Sequence, residues 1–201
     1  MSKFEGRIEV ICGPMFSSKT ETLISRITRL KYANKTFKVF KPSIDNRYSE
    51  SEIVSHAGLR EQSIPVKDSQ DILNFLYSKM VKLPDVVIID EVQFFDKGIV
   101  KTITELANMG VSVIAAGLDQ DFRGEPFEIT ASLLALAETV TKLTAVCVVC
   151  GNDATRSQRL VDGKPADYND NIVLVGAKES YEARCREHHI VEEPSNGTET
   201  T

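Results

Sequence analysis

The sequence predicts an α/β fold in which a doubly wound parallel sheet is followed by a smaller C-terminal lobe. Short apolar runs rich in β-branched residues alternate with segments whose apolar residues recur at helical spacing. A loop that begins with glycine and ends in lysine and threonine follows the first run, and an acidic pair ends a later one. Strands that alternate with helices usually pair in parallel, with helices on both faces of the sheet. From residue 147 onward, cysteines and a histidine become the notable residues.

The composition is that of an ordinary globular protein. The chain has 201 residues, of which 42% are hydrophobic and 26% are charged, and its formal net charge is −5. The negative charge argues against nucleic acid or an anionic membrane as a non-specific partner. No apolar run reaches the ~20 residues that span a bilayer. Since the N-terminal segment has no apolar signal core, we expect a cytoplasmic protein with reduced thiols.

The first strand is predicted by the apolar residues Ile8, Val10 and Ile11, and the sequence GPMFSSKT follows at once. Leu23 and Ile27 then lie on the apolar side of a predicted helix. Strand, loop, Lys-Thr and helix form the context of a phosphate-binding loop, where backbone N–H groups and the helix N-terminus favour an anion. The candidate phosphate-binding residues are Gly13, Pro14, Met15, Phe16, Ser17, Ser18, Lys19 and Thr20.

Three residues of this loop bear on its chemistry. Lys19 is placed to reach the β- and γ-phosphates of a nucleotide, and the hydroxyl of Thr20 is placed to hold Mg²⁺. Ser18 stands where the usual pattern has its second glycine, which costs about 1 kcal/mol if the position requires a positive φ. An ordinary strand–turn–helix with a surface lysine is the alternative to a nucleotide site.

A strand over Phe37 to Ser43 and a helix over Ser69 to Met80 are the next predicted elements. Between them, residues 44–68 are mostly polar and lack apolar periodicity, so we predict a long loop. Long loops in compact domains are often functional. Arg47 is a candidate site residue in this loop, and a solvated surface arginine is the alternative.

An acidic pair follows a run of four β-branched residues, Val86 to Ile89. A continuous apolar run suits a parallel strand that is covered on both faces. In such sheets ligands lie beyond the carboxyl ends of the strands, where this pair and the phosphate loop are both predicted. Asp90 is then expected to orient Mg²⁺ or its water shell, and Glu91 to act as a general base. The alternative is a solvated acidic turn.

The remaining elements of the sheet follow the same alternation. We predict a helix over Gly98 to Asn108, a buried strand over Val111 to Leu118 and a helix over Thr130 to Glu138. Thr139 to Val149 is predicted to be the last core strand. A nucleotide-binding domain is therefore expected over residues 1–145.

Two short clusters of metal-ligating residues follow this domain. Each cluster supplies two ligands from one tight turn, which is what a tetrahedral structural zinc site requires. The predicted zinc ligands are Cys147, Cys150, Cys185 and His188, with His189 as the alternative to His188. Free buried cysteines and a surface histidine are the alternative to a metal site.

Two further segments follow the nucleotide-binding domain: a lobe that contains both clusters, and the C-terminal tail. Asn171 to Tyr181 is predicted to be a strand that leads into a turn. We place a zinc-binding lobe at residues 146–191 and expect residues 192–201, which are polar and include no core residue, to be disordered.

The combination of GPMFSSKT, DEVQFF and a C-terminal Cys₃His cluster resembles the cytosolic, zinc-containing (type II) family of thymidine kinases. The stretches KPSIDNRYS, GLDQDFRGEPF, VTKLTAVCVVC and VGAKESYEARCREH are similar to that family as well. The resemblance extends from about Gly6 to His188, and the combination is more specific than any of its parts.

The resemblance implies a P-loop (RecA-like) kinase that transfers the γ-phosphoryl group of ATP to the 5′-hydroxyl of thymidine or deoxyuridine. The product, dTMP, would enter DNA synthesis by thymidine salvage. Lys19 is then the charge clamp on the phosphates, Asp90 organises Mg²⁺, and Glu91 accepts the proton of the 5′-hydroxyl. The family also implies a structural Zn²⁺, a homotetramer and feedback inhibition by thymidine triphosphate, with no nucleic-acid or membrane partner.

Further site residues are implied by their positions in the family's motifs. Asp45, Asn46 and Arg47 match a segment that approaches ATP, and Gln93 lies where the family's DExQ stretch lines the nucleotide site. Phe122 matches a residue that packs against the nucleoside. In the family, a lid (lasso) loop held at its root by zinc folds over the base, and the residues that fall on it here are Ile172, Val173, Leu174, Val175, Gly176 and Tyr181.

Two other functions compete with this interpretation. One is a nucleic-acid-dependent P-loop ATPase, because DEVQ also resembles a helicase box. The chain length, the net charge and the lack of an obvious basic tract with interleaved aromatic residues argue against it. The other is a non-catalytic zinc module that only binds nucleotide, and the intact Lys19, Asp90 and Glu91 argue against that.

Overall fold

The computed structural model describes residues 6–43, 52–54, 60–79, 82–172 and 179–192. Within these residues it contains four α-helices, which are α1 (Lys19–Tyr32), α2 (Ser69–Lys79), α3 (Gly98–Asn108) and α4 (Glu128–Leu136). The strands in the same ranges are β1 (Ile8–Cys12), β2 (Phe37–Pro42), β3 (Glu52–Val54), β4 (Arg60–Gln62), β5 (Ile64–Val66), β6 (Val86–Ile89), β7 (Ser112–Gly117), β8 (Thr139–Lys142), β9 (Ala145–Val146), β10 (Asp153–Ala154), β11 (Arg156–Val161), β12 (Lys164–Pro165) and β13 (Glu179–Arg184).

Six strands form one parallel sheet with the order β5–β2–β6–β7–β1–β8. The strand β7 lies between β1 and β6, since Gly117 is opposite Cys12 and Ala115 is opposite Ile89. Both β6 and β7 are buried along their whole length. This arrangement confirms the predicted α/β fold with a parallel sheet.

Helices cover both faces of the sheet, as a doubly wound fold requires. The helix α1 lies on one face, where Leu23 and Ile27 pack with Ile88 of β6. The helices α2, α3 and α4 lie on the other face, where their core residues are Ile72, Leu76, Ile99, Ile103, Leu106, Ile129 and Leu133. Fully burying such side chains favours folding by about 1.5–3 kcal/mol each.

The helices α2 and α3 confirm the predicted elements, but α4 begins and ends two residues before the predicted helix over Thr130 to Glu138. Thr130 is buried inside the helix, and its hydroxyl donates a hydrogen bond to the Leu118 carbonyl at 2.8 Å, so it does not begin the helix.

In the part of the chain that the structure describes, no helix is both long enough and apolar enough to cross a membrane.

The prediction of one long loop over residues 44–68 is wrong where this segment is described. The strand β5 pairs in parallel with β2 and forms one edge of the main sheet. The strands β3 and β4 pair with each other in an antiparallel ladder. Strands of three residues are too short to show periodicity, and Pro65 within β5 is tolerated because an edge strand has one unpaired side.

The prediction of one core strand over Thr139 to Val149 is also wrong. The strand β8 is the half-exposed edge of the main sheet, and β9 belongs to a separate two-stranded sheet with β10. The backbone N–H of Leu143 donates to the Cys12 carbonyl at 2.8 Å, and the chain leaves the main sheet after this bond. The apolar run therefore covers two short strands in different sheets.

The C-terminal part forms a three-stranded antiparallel sheet with the order β12–β11–β13. Here the predicted strand over Asn171 to Tyr181 is displaced: β13 begins only at Glu179, and residues 173–178 lie outside the described residues. Glu192, the first residue of the expected disordered tail, bridges to Asp167 and donates its N–H to the Ala166 carbonyl. Residues 193–201 lie outside the described residues.

Candidate functional site

The loop between β1 and α1 is tightly folded. Gly13 has a φ of 148°, and a Cβ atom there would lie 2.5 Å from the Leu143 carbonyl oxygen, so only glycine fits. The Ser17 hydroxyl donates to the Pro14 carbonyl at 2.8 Å. Ser18 has a φ of 60°, which confirms that this position requires a left-handed backbone. Serine therefore costs about 1–2 kcal/mol here relative to glycine.

Lys19 folds back onto this loop. Its Nζ atom donates to the Pro14 carbonyl at 2.5 Å and lies 3.5 Å from the Ser17 hydroxyl. Burial lowers the pKa of Lys19 to about 8, although the carboxylates of Asp90 and Asp119 act in the opposite direction. An ammonium group that is poorly hydrated gains more from an anion than an exposed one does. The loop therefore presents a cation that suits a phosphate group.

The acidic pair lies at the carboxyl end of β6, on the same edge of the sheet as the loop. The Asp90 N–H donates to the Phe40 carbonyl at 2.9 Å, and one Asp90 oxygen accepts the Glu91 N–H at 3.0 Å. Burial raises the pKa of the Asp90 carboxyl, while the Glu91 N–H and the charge of Lys19 act against this rise. Glu91 is exposed and has a φ of 51°.

Gln93 connects this acidic turn to β7. Its side chain is buried, and Oε1 accepts the Leu118 N–H at 3.0 Å. A Cβ atom on Gly117 would collide with the same oxygen, so a larger residue there would displace the Gln93 side chain. The sheet therefore brings the predicted site residues together around the ends of β1, β7 and β6. These residues are those of the phosphate loop and, from the acidic turn, Asp90, Glu91 and Gln93.

Sequence reasoning missed Asp119, which lies two residues after β7. Its side chain is 5% exposed, and Oδ2 lies 2.9 Å from Nζ of Lys142 at the end of β8. Cys12 is close by: burial and then the charge of Asp119 raise the pKa of this thiol to about 11, so it is neutral near pH 7. In the sequence, Asp119 is one of several acidic residues in a polar loop, and only the sheet shows which of them is buried.

Phe122 is buried beneath two guanidinium groups. The Cζ atoms of Arg123 and Arg159 lie 5.3 and 5.0 Å from its ring centroid, within the range of a cation–π contact. Arg159 is fully buried on β11, and its NH1 donates to the Asn171 carbonyl at 2.6 Å. The sequence RSQRLV is too polar to indicate a buried strand, which is why Arg159 was not predicted.

The small sheet also contacts the phosphate loop directly. The Met15 N–H donates to the Ser157 hydroxyl of β11 at 2.9 Å. Tyr181 is half-buried on β13 opposite Arg159, whereas Ile172 is 41% exposed. The other predicted residues of the lid and of the ATP-approaching segment lie outside the described residues, and these are Val173, Leu174, Val175, Gly176, Asp45, Asn46 and Arg47.

Four predicted metal ligands converge. The ligand atoms of Cys147, Cys150, Cys185 and His188 all lie within 4.8 Å of one another, and no other such group occurs in the described ranges. Nδ1 of His188 lies 3.2 Å from the Cys185 sulfur and 3.8 Å from the Cys147 sulfur. Three thiols and one imidazole match the donor set of a four-coordinate zinc ion, so the residues fit this metal.

His189, the alternative ligand, is engaged elsewhere. Its Nε2 donates to the Phe122 carbonyl at 2.8 Å. The structure therefore favours His188 over His189 in the cluster. Burial alone would raise the pKa of Cys147, but the backbone N–H groups of Cys185, Cys150 and Val149 outweigh it and lower this pKa to about 6. The low value favours the thiolate form that zinc binds.

Among solved structures, the chain is similar to the genome packaging NTPase B204 from Sulfolobus turreted icosahedral virus 2 in complex with ATP-gammaS. The identity is 16%, the alignment covers 69% of this chain and 74% of that chain, and the TM-score is 0.44. A family model with the description "Thymidine kinase" matches residues 6–189, a span that includes the phosphate loop, the acidic pair and the metal-ligand cluster. Because this match covers most of its length, the chain belongs to the thymidine kinase family.

Proposed function

We propose that the protein transfers the γ-phosphoryl group of ATP to the 5′-hydroxyl of thymidine, and of deoxyuridine, and so supplies dTMP for DNA synthesis by salvage. The observation that supports this most directly is that a partly buried lysine of a phosphate loop lies near an Asp-Glu pair at one edge of the sheet, in a chain of the thymidine kinase family. Phosphoryl transfer depends mainly on positioning and charge stabilisation, which these groups supply.

The phosphates bind at the loop. Backbone N–H groups of residues 16–20, at the N-terminus of α1, face the phosphates, and Lys19 exchanges the Pro14 carbonyl for phosphate oxygens. Thr20 and Asp90 offer the hard oxygen donors that Mg²⁺ prefers, and Mg²⁺ neutralises charge on the transferring group when it is bound. Gln93, whose side-chain oxygen accepts the Leu118 N–H, lines the same site, and Asp45, Asn46 and Arg47 match a family segment that approaches ATP.

Glu91 accepts the proton of the attacking hydroxyl. It follows Asp90 directly and is exposed, so a substrate can reach it. Its left-handed backbone, with a φ of 51°, is unusual for glutamate and is typical of residues at functional sites. A carboxylate close to the nucleophile is suited to general-base catalysis.

The nucleoside binds between Phe122 and the lid. Phe122 packs against the base, while Tyr181 and residues 172–176 close over it and hydrogen-bond it through backbone groups. The bond from Arg159 to the Asn171 carbonyl holds the chain just before this lid. A wrong base would leave buried donors and acceptors unpaired, at about 1–3 kcal/mol each, which gives selectivity for the pyrimidine.

A zinc ion bound by Cys147, Cys150, Cys185 and His188 has a structural role, because protein ligands fill all four positions. The site tightens the small sheet that leads to the lid. It also places His189, the next residue, against the Phe122 carbonyl. The metal would therefore support the nucleoside side of the active site without entering the chemistry.

The wider organisation follows the family resemblance. We propose a nucleotide-binding domain at 1–145, a zinc-binding lobe at 146–191 and a tail at 192–201. The separate main and small sheets support two units, although β9 lies across their boundary and Glu192 is bridged to the lobe. We further propose a cytoplasmic homotetramer that thymidine triphosphate inhibits by occupying the nucleoside site.

The proposed reaction can be tested with purified protein, labelled ATP, Mg²⁺ and a panel of five nucleosides. We expect phosphorylated product with thymidine and deoxyuridine, and none with deoxycytidine, deoxyadenosine or deoxyguanosine. If no nucleoside is phosphorylated but DNA or RNA stimulates ATP hydrolysis, the function is that of a nucleic-acid-dependent ATPase instead.

The role of Glu91 can be tested with Glu91→Gln. The amide keeps the size and backbone preference of the residue but cannot accept a proton, so kcat is expected to fall by about 10²- to 10⁴-fold. The Kd for ATP should remain within about threefold, because the substitution removes no phosphate contact. Glu105→Gln, on the exposed side of α3, is the control and should keep the normal rate. A near-normal kcat for Glu91→Gln would assign the base to another residue.

Because the pKa of Lys19 is lowered, we expect the affinity for nucleotide to depend on pH. The pKa of Lys19 is about 8 in the free protein and rises when phosphate binds beside it. Affinity for Mg²⁺-ADP should therefore be constant below pH 8 and fall about tenfold per pH unit above it. Lys19→Arg keeps its charge throughout this range, so its affinity should not change with pH. Titration calorimetry from pH 7 to 9.5 measures the affinity of wild type and of Lys19→Arg for Mg²⁺-ADP. A wild-type affinity that does not change with pH would contradict the proposed role of Lys19 in binding phosphate.

The metal site can be tested with neighbouring histidine variants. Wild-type protein and His189→Ala should contain about one zinc ion per chain, whereas His188→Ala loses one of four ligands and should lose its zinc to a mild chelator. Its melting temperature should also fall, because metal binding is linked to folding. Zinc is quantified by atomic absorption after dialysis. Retention by His188→Ala together with loss by His189→Ala would exchange the two assignments.

A further inference from the structure

Asp119 has a buried oxygen that the site described above does not use. The side chain is 5% exposed, and Lys142 binds only Oδ2, at 2.9 Å. Oδ1 is buried and has no hydrogen-bond partner among the described residues. A buried polar atom without a partner costs about 1–3 kcal/mol, so a donor that binds there would be stabilising.

The sheet places Asp119 inside the proposed nucleotide site. It follows β7, which lies between β1 and β6, so it leaves the sheet between the phosphate loop and Asp90. Both carboxylates lie near Lys19, since the charges of Asp90 and Asp119 each act on its ammonium group. Lys142 reaches Asp119 from β8, on the far side of β1.

The Asp119 side chain is not needed to shape its own loop. The turn that follows is held by Asp121, whose Oδ1 accepts the N–H groups of Arg123 at 2.9 Å and Glu125 at 3.0 Å. The Asp119 backbone carbonyl accepts the Phe127 N–H at 3.1 Å, and this bond does not involve the side chain. The buried carboxylate is therefore available for a role in binding.

We propose that Asp119 is a positioning residue of the metal–nucleotide site, whose Oδ1 accepts a hydrogen bond from a water molecule of the nucleotide-bound Mg²⁺ ion. Mg²⁺ dehydrates reluctantly and keeps several waters, which are strong donors to carboxylates. Lys142 holds Oδ2 and so fixes the orientation of the carboxylate. This inference rests on the proposed function in one respect: it requires a metal–nucleotide complex at the phosphate loop.

Asp119→Asn tests the proposal because Lys142 can only donate hydrogen bonds. The amide oxygen must face the Lys142 ammonium, which puts the NH₂ group where Oδ1 was, and an NH₂ group cannot accept a bond from water. The size of the side chain is unchanged. The variant therefore removes one acceptor with little effect on packing.

The experiment measures the affinity of protein-bound ADP for Mn²⁺ by electron paramagnetic resonance, and the affinity for ADP alone in EDTA. Asp119→Asn is expected to weaken Mn²⁺ binding by about 10- to 100-fold, as is typical when a group that hydrogen-bonds to a metal ligand is lost. Metal-free ADP binding should stay within about threefold of wild type. A loss confined to the metal distinguishes this role from a structural one.

Asp121→Asn is the matched control, because it makes the same chemical change two residues away in an equally buried position. It should leave the Mn²⁺ affinity within about twofold, whatever it does to thermal stability. If Asp119→Asn also leaves Mn²⁺ affinity unchanged, the proposal is wrong. It is equally wrong if ADP binding without metal weakens by the same factor, because the carboxylate then supports the loop or Lys19.

A second measurement does not depend on the folding of the variant. A crystal structure of the wild-type Mn²⁺-ADP complex should show a water molecule that bridges the metal and Asp119 Oδ1, and its absence would overturn the proposal. If the protein binds Mn²⁺-ADP but phosphorylates no nucleoside, the proposed function fails while the role of Asp119 is decided on its own result. If the wild-type protein does not bind Mn²⁺-ADP, both fail.

Discussion

The parallel pairing of β7 with β1 and β6 is the constraint on which the candidate site depends. Because the three strands run in the same direction, their carboxyl ends bring the phosphate loop, Asp119 and Asp90 to one edge. The strands β6 and β7 are buried along their whole length, and core residues pack against them from both faces of the sheet, which holds them in place. The chemistry at the edge is therefore positioned by the core beneath it.

Several non-glycine residues at this edge of the sheet have a left-handed backbone conformation. In the described residues, five non-glycine positions have a positive φ, and two of them, Asn34 and Asp162, are of types that tolerate it. The other three, Phe16, Ser18 and Glu91, all lie in the phosphate loop or the acidic pair. Each costs about 1–2 kcal/mol and persists only where the surrounding structure enforces it. Such strain is typical of positions that serve a binding site.

Contacts from the small sheet connect the candidate metal site to the nucleotide side. Ser157 of β11 accepts the Met15 N–H of the phosphate loop, and Arg156 donates to the Gly124 carbonyl at 3.0 Å. His189, beside the metal-ligand cluster, donates to the Phe122 carbonyl. These bonds end on backbone atoms of the loops at the sheet edge. A metal that fixes the small sheet would therefore also restrict the loops that bind substrate.

The fold class could be predicted from the amino-acid sequence alone, because apolar periodicity and the loop at Gly13 do not depend on distant contacts. The sequence also determined the candidate roles of Lys19, Asp90 and Glu91 and the two metal-ligand clusters, since each rests on local spacing. It did not predict β5, which has three residues, or the division of residues 139–149 between two sheets. The spacing from Cys185 already favoured His188, and the tertiary structure supports that choice because His189 is bonded to the Phe122 carbonyl. Only the tertiary structure showed that Asp119 and Arg159 are buried. A polar residue can be buried when partners far away in the chain bind it, as Lys142 binds Asp119 and Asn171 binds Arg159. The residues next to it in the sequence do not reveal such partners.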